Sequence, residues 1–245
     1  MTDTPAGLTY GGYLRLDRVL TSQEPLSDLH DEMLFIVIHQ TKELWIKQAI
    51  HELKLAQALV RADRPVEAYK SLSRITRIQA VMTQSWDVLA TMTPVDYSRF
   101  RHVLGTSSGF QSAGFREFEI RLGVKHPSYL QQATADERPA LEAALGEPSL
   151  WDDANAALHR AGLDGEAGWE AVYRDPERYW DLYQLAEKLV DVDDALATWR
   201  HKHVLTVERI IGGKMGTGGS AGVAYLTSTL AKRAFPELWA LRTRL

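Results

Sequence analysis

WRHKHVLTVERIIGGKMGTGGSAG, residues 199 to 222, joins the end of a long amphipathic helix to a glycine-rich loop. In the helical part Trp199, His203, Val207 and Ile210 stand at i, i+4, i+8 and i+11 and share one face. His203 is therefore turned inward among apolar neighbours, whereas His201, about 200° away round the helix, faces water. A helix holds a ligand side chain rigidly, and a loop with glycine at 212, 213, 216, 218, 219 and 222 can close over something bound beside it. Two readings of His203 stay open here: a hydrogen-bonded core histidine, or a ligand within a cofactor site that carries a lid.

The helical pattern runs back from Ile211 to Asp175-Pro176-Glu177, where a cap, a proline at the first helical position and an acidic first turn mark its start. A second long helix is expected from Ser27, as N-cap, to about Arg61. On it Phe35, His39, Lys42 or Glu43, and Ile46 share a face, while His51 falls in a charged, solvated stretch. Pro65, with Asp63 as a possible cap, opens a third helix to about Met92. Thr93-Pro94 with Asp96 starts a short helix that places Tyr97 and Arg101 at i, i+4. That pair is equally readable as an exposed tyrosine stacked on an arginine stem. After the tight polar turn GTSSG, 105 to 109, a helix is expected over FQSAGFREFEIRLG, ending at Gly123. Residues 124 to 175, broken by proline and glycine, read as peripheral loops with two modest helices, around Ala140 and Asp153. Beyond the glycine loop come a helix at about 222 to 234 and a short one from Pro236. With no useful strand alternation and no repeat, the fold class is all-α: a bundle of several long helices forming a single domain over 1–245. Residues 1–26, with Pro5, Pro25 and glycines 7, 11 and 12 around Leu8, Tyr10, Tyr13, Leu14 and Leu16, form an N-terminal arm that needs a partner surface.

Composition removes several classes of function. A chain of 245 residues, 45% hydrophobic and 24% charged, can bury a full core. A net charge of −4 with scattered Lys and Arg gives no footprint for nucleic acid. Zero cysteines exclude disulfides, zinc–thiolate sites, iron–sulfur clusters and cysteine nucleophiles, so a metal must be held by histidine or carboxylate. The first residues lack the pattern of a signal peptide, and LFIVI at 34 to 38 is far too short to span a bilayer, which suits a cytoplasmic protein without a membrane partner.

The glycine loop is not a phosphate-binding P-loop, because Gly213-Lys214 is followed by Met215 and no parallel sheet stands behind it. HExxH and ExxH motifs are also missing. Two inward histidines on two long helices remain, a geometry suited to a flat cofactor gripped between helices with one histidine as axial ligand.

FIVIHQTKELWIK at 35 to 47, FRHVLGTSSGFQS at 100 to 112, LVDVDDALATWRHKH at 189 to 203, GTGGSAG at 216 to 222 and LTYGGYLRLD at 8 to 17 resemble the tryptophan 2,3-dioxygenase family. The resemblance covers nearly the whole chain in order. It implies an all-α homotetramer with haem b in each subunit, using O2 to open the indole ring of L-tryptophan. By the same resemblance His203 is the proximal iron ligand and His39 the distal histidine that meets the indole N–H. Phe35 walls the indole pocket, Arg101 clamps the substrate carboxylate with Tyr97, and Thr217 reaches the ammonium or carboxylate. Leu104, Ser108 and Gly109 match pocket and haem-side positions, and Tyr10, Tyr13 and Leu14 match an arm that enters a neighbouring subunit's site.

Some positions depart from the family pattern. The chain is shortened between about Gln131 and Trp169, Thr106 stands where proline is usual, Ala221 replaces serine, and SAGFR at 112 to 116 brings in the small residues Ala113 and Gly114. Lost volume there would make room for a methylated tryptophan, and so for a monooxygenase of substituted indoles as the alternative. A non-catalytic haem sensor is a further alternative, for which a damaged substrate clamp is expected; Arg101, Tyr97 and Thr217 are all in place.

Overall fold

The computed structural model describes residues 7–245, and among them every regular element is helical. Three helices make the frame: α3 (His30–Arg61), α4 (Pro65–Leu89) and α10 (Trp180–Ile211). Helix α4 packs along both α3 and α10 and lies between them. Its apolar stripe Leu72, Ile75, Ile78, Met82, Trp86 and Leu89 meets Ile46, Leu53, Ala56 and Val60 of α3 and Leu185, Leu189, Val192 and Leu196 of α10, all buried. Each buried Val, Leu, Ile or Met among them contributes roughly 1.5–3 kcal/mol of transfer free energy, which is why amphipathic periodicity dictates this arrangement.

Smaller elements close the frame. Two short helices, α1 (Tyr10–Leu14) and α2 (Leu16–Val19), precede it. Helix α5 (Pro94–Phe100) has the expected Thr93–Asp96 capping box and bridges α3 and α10. Helix α6 (Ala113–Leu122) and helix α8 (Leu150–Arg160) lie on α3. Helix α7 (Arg138–Gly146) packs on α6, α9 (Gly165–Arg174) on α8 and α10, α11 (Val223–Ser228) on α10, and α12 (Pro236–Leu241) on α9.

Several expected boundaries move. Helix α3 starts at His30 rather than after Ser27, because the Glu32 carboxylate accepts hydrogen bonds from the Leu26 and Ser27 backbone N–H groups and the Ser27 hydroxyl, holding Ser27 outside the helix. Asp63 does not cap α4; it takes a left-handed φ of 61° in the turn, with Arg64 at the N-cap position. Helix α10 begins at Trp180, after the Asp175 turn. The 110–123 helix is split: Gly109–Gln111 is a 3-10 turn, and Ser112 caps a new helix by accepting from the Phe115 N–H. Helix α11 ends at Ser228, well short of 234.

The region 124–175 is not peripheral. It holds three helices rather than two, and Leu150, Leu158, Trp169 and Val172 are all at most 1% exposed within the main core. Trp169 stacks on Trp151 and donates its indole N–H to Asn155. Glycine spacing at 162, 165 and 168 hides this helix from a reading by propensity, and tertiary burial of Trp169 overrides it.

Candidate active site

A cavity of about 500 Å³ is lined by residues of helices α3, α4 and α10. Helix α3 contributes Phe35, His39 and Lys42, helix α4 Trp86, and helix α10 Trp199, Arg200 and His203. Tyr97 of α5, the segment Leu104 to Ser112, Phe115 and Arg116 of α6, the glycine loop and Tyr225 of α11 complete the wall.

His39 is set by its own helix. Its Nδ1 lies 2.7 Å from the Phe35 carbonyl oxygen. A carbonyl only accepts, so Nδ1 carries the hydrogen and Nε2 is left with its lone pair. Burial pushes the imidazole down to about 4, so it is neutral at pH 7. The Phe35 ring lies 4.2 Å from it and also packs on Tyr97 and Phe100.

His203 is held by aromatic surfaces. It lies parallel to Trp86, with centroids 4.3 Å apart and planes 7° apart, and 5.2 Å from Trp199. Burial first, then the nearby Lys42 and His39, push it down to about 3. A neutral imidazole with an available lone pair is the form that binds a metal. Among the described residues no group of three or more His, Asp or Glu side chains is placed to hold a metal ion, so His203 and His39 do not belong to an all-protein metal cage.

One end of the cavity is cationic. Glu119, 2% exposed, accepts from Arg116 Nη1 at 2.7 Å and from Arg200 Nη2 at 2.6 Å, so two guanidinium groups share one carboxylate. The remaining wall is largely aromatic and aliphatic.

The lid is latched to the segment opposite. Thr217 donates its hydroxyl to the Ser107 carbonyl, and Arg101 donates from Nη2 to the Met215 carbonyl. Gly218 is required by close approach, since a β-carbon there would lie 2.7 Å from Ser108 Cβ. Ser108 also caps the Gly109–Gln111 turn by accepting from the Phe110 N–H.

Phe35, His39, Tyr97, Leu104, Ser108, Gly109, His203 and Thr217 are thus brought to one cavity. Arg101 is not among the lining side chains; the helix that carries Tyr97 ends at Phe100, and Arg101 starts a 3-10 turn through Leu104 at the lid. Tyr10, Tyr13 and Leu14 lie away from this chain's cavity, 77%, 72% and 40% exposed.

The chain matches the family model described as Tryptophan 2,3-dioxygenase over residues 2–170 and 153–245. A Caulobacter vibrioides protein named Tryptophan 2,3-dioxygenase is 59% identical, over 97% of this chain and 98% of its own length. The chain belongs to the tryptophan 2,3-dioxygenase family. Relatives of the same name from Bacillus cereus and Bradyrhizobium are 49% and 50% identical, over 100% and 97% of this chain and 95% and 93% of their own lengths. The alignments to the first two relatives span 261 and 265 positions against 245 residues, so those family members carry residues that this chain lacks.

Trp86, Phe115, Arg116, Glu119, Arg200 and Tyr225 line this site without having been singled out in the sequence. Trp86 sits in an apolar helical stripe that reads as core, and Arg116 and Arg200 read as surface charges. Nothing local reveals that α6 and α10 pair them across Glu119. Ala113 and Gly114 do not enlarge the cavity: Ala113 packs against the small cluster of Ile120, Tyr129, Leu141 and Ala144, and a β-carbon on Gly114 would lie 3.2 Å from Glu43 Oε2 and 3.3 Å from Ile46 Cγ2. Gly114 serves the close approach of α6 to α3.

Proposed function

We propose that this protein uses O2 to open the indole 2,3 bond of L-tryptophan, giving N-formyl-L-kynurenine, with haem b bound between α3 and α10. The observation that carries the reading is the delivery of two neutral histidines, His39 and His203, from two helices to one cavity. The residues fit the cofactor. His203 makes no hydrogen bond to another described residue, and the buried Nε1 groups of Trp86 and Trp199 are without partners beside the cavity. Arg116 and Arg200, sharing one carboxylate, supply the excess positive charge that the propionates of a haem require. Haem, when bound, supplies the iron that takes up and activates O2.

The side chains of this chain then divide the remaining work. His203 would hold the haem iron, and Ser108 and Gly109 would border the cofactor. His39 presents the Nε2 lone pair as acceptor for the indole N–H, which orients the ring, while Phe35 and Leu104 wall it. Arg101, with Tyr97, clamps the substrate carboxylate as a planar donor suited to two oxygens, and Thr217 meets the ammonium or carboxylate. Closure of the glycine loop excludes water from the reacting pair. The exposed Tyr10, Tyr13 and Leu14 pack on a neighbouring subunit of a homotetramer and complete its site. No helix among the described residues is long and apolar enough to cross a membrane, and we place the enzyme in the cytoplasm.

Turnover of L-tryptophan under ¹⁸O2 tests the reaction. The expected product carries two labelled atoms, one on the formyl group and one on the ketone; a single labelled atom, or turnover only with a methylated indole, would overturn it.

A further inference from the structure

Lys42 is 5% exposed, lines the cavity and finds no hydrogen-bond acceptor for its Nζ among the described residues. Among the described residues its one attractive partner is the indole of Trp86, with Nζ 2.7 Å from the ring centroid. The other occupant of that indole is His203, stacked at 4.3 Å and nearly parallel. An ammonium 2.7 Å above the ring on the same face would overlap the imidazole, so Lys42 and His203 must sit on opposite faces of Trp86. The three side chains, from α3, α4 and α10, form a layered stack of amine, indole and imidazole.

We propose that Lys42 is a positioning residue for the axial ligand: it presses the Trp86 indole against His203 from behind and so fixes the plane of the imidazole that faces the iron. The proposal rests on the reading of His203 as haem ligand. A buried amine without an acceptor is costly, and the π face is the only group here that draws it in. An N–H donor holds to that face whether the amine is charged or neutral, more strongly when charged. Trp86, fixed on one side by the imidazole and on the other by Lys42, is left little freedom to tilt, and neither is His203.

The test uses ferrous holoenzyme with Lys42→Met and Lys42→Arg. Two readouts are taken: the iron–histidine stretching band in the resonance Raman spectrum, and the rate of haem transfer to an excess of apomyoglobin. Lys42→Met is expected to shift or broaden the band and to speed haem loss about two- to fivefold, the scale of one N–H···π contact. Lys42→Arg, which keeps N–H donors over the indole, should restore both. In a Trp86→Leu background the Lys42→Met effect should vanish, because the contact through which it acts is gone. A band and a transfer rate unchanged by Lys42→Met, or an undiminished Lys42 effect without Trp86, overturn the proposal while leaving the ligand assignment standing. A parent enzyme that binds haem without an iron–histidine band removes the His203 assignment and this proposal together. Circular dichroism of each variant separates these outcomes from unfolding, and an unfolded Lys42→Met would itself overturn the proposal, since it would show Lys42 to be needed for the fold.

Discussion

His39 Nδ1 and the Phe35 carbonyl oxygen, one helical turn apart on α3, are 2.7 Å from one another, and this contact leaves Nε2 as the nitrogen able to accept a proton donor in the cavity. The tautomer is thus set before substrate arrives. Two roles follow for such an acceptor: general base for the indole N–H, or a hydrogen-bond anchor for the ring. Loss of a required base costs about 10²–10⁴ in rate. Electrophilic attack on indole carbon needs no prior deprotonation, so the anchor role is the expected one. His39→Ala should keep its haem spectrum and lower kcat/KM by less than about 10²-fold; abolished turnover in a steady-state assay would identify a base instead.

Arg101 has two tasks, since its guanidinium also ties down the lid at Met215. Arg101→Ala should weaken kcat/KM by the loss of a desolvated charge-assisted contact, roughly 2–5 kcal/mol, with the Soret band unchanged. Tyr97→Phe should cost less, about 1 kcal/mol. Kinetics of Arg101→Ala equal to those of the parent enzyme would refute the clamp.

His203→Ala removes the imidazole proposed to hold the haem iron but leaves a helix whose burial is carried by Leu185, Leu189, Val192 and Leu196. The variant should show normal helical circular dichroism and no tightly held haem after gel filtration. A full, unshifted Soret band would remove His203 from its assigned role.

Lys42 predicts how the stability of the haem-free protein depends on pH. Burial pushes its amine from an ordinary 10.5 down to about 6. Between those values the unfolded chain binds a proton that the folded chain does not, so this residue makes stability rise as pH rises from about 6 toward 10.5. Urea denaturation of Lys42→Met across that range should show a flatter profile and a gain over the parent that is greatest near pH 6 to 7 and shrinks at alkaline pH. Parallel profiles for the two proteins would contradict a buried amine.

Much of this protein is legible one helix at a time. The 3.6-residue period placed His39 and His203 on inward faces, and Thr93-Pro94 and the glycines after Ile211 marked true helix ends, because these signals depend only on neighbouring residues. The absence of strand alternation decided the all-α class, and five ordered motifs decided the family. What the chain could not disclose alone is what different helices do to one another. Ser27 is held out of α3 by Glu32, and Trp169 is drawn into the core despite its glycines. Arg116 and Arg200 meet only because α6 and α10 both reach Glu119, and Lys42 reaches His203 only through the indole that α4 inserts between them. Burial and pairing across helices are properties of the packed bundle, so tertiary structure alone turned an inward histidine into a neutral one, fixed between aromatic surfaces, at the wall of a cavity.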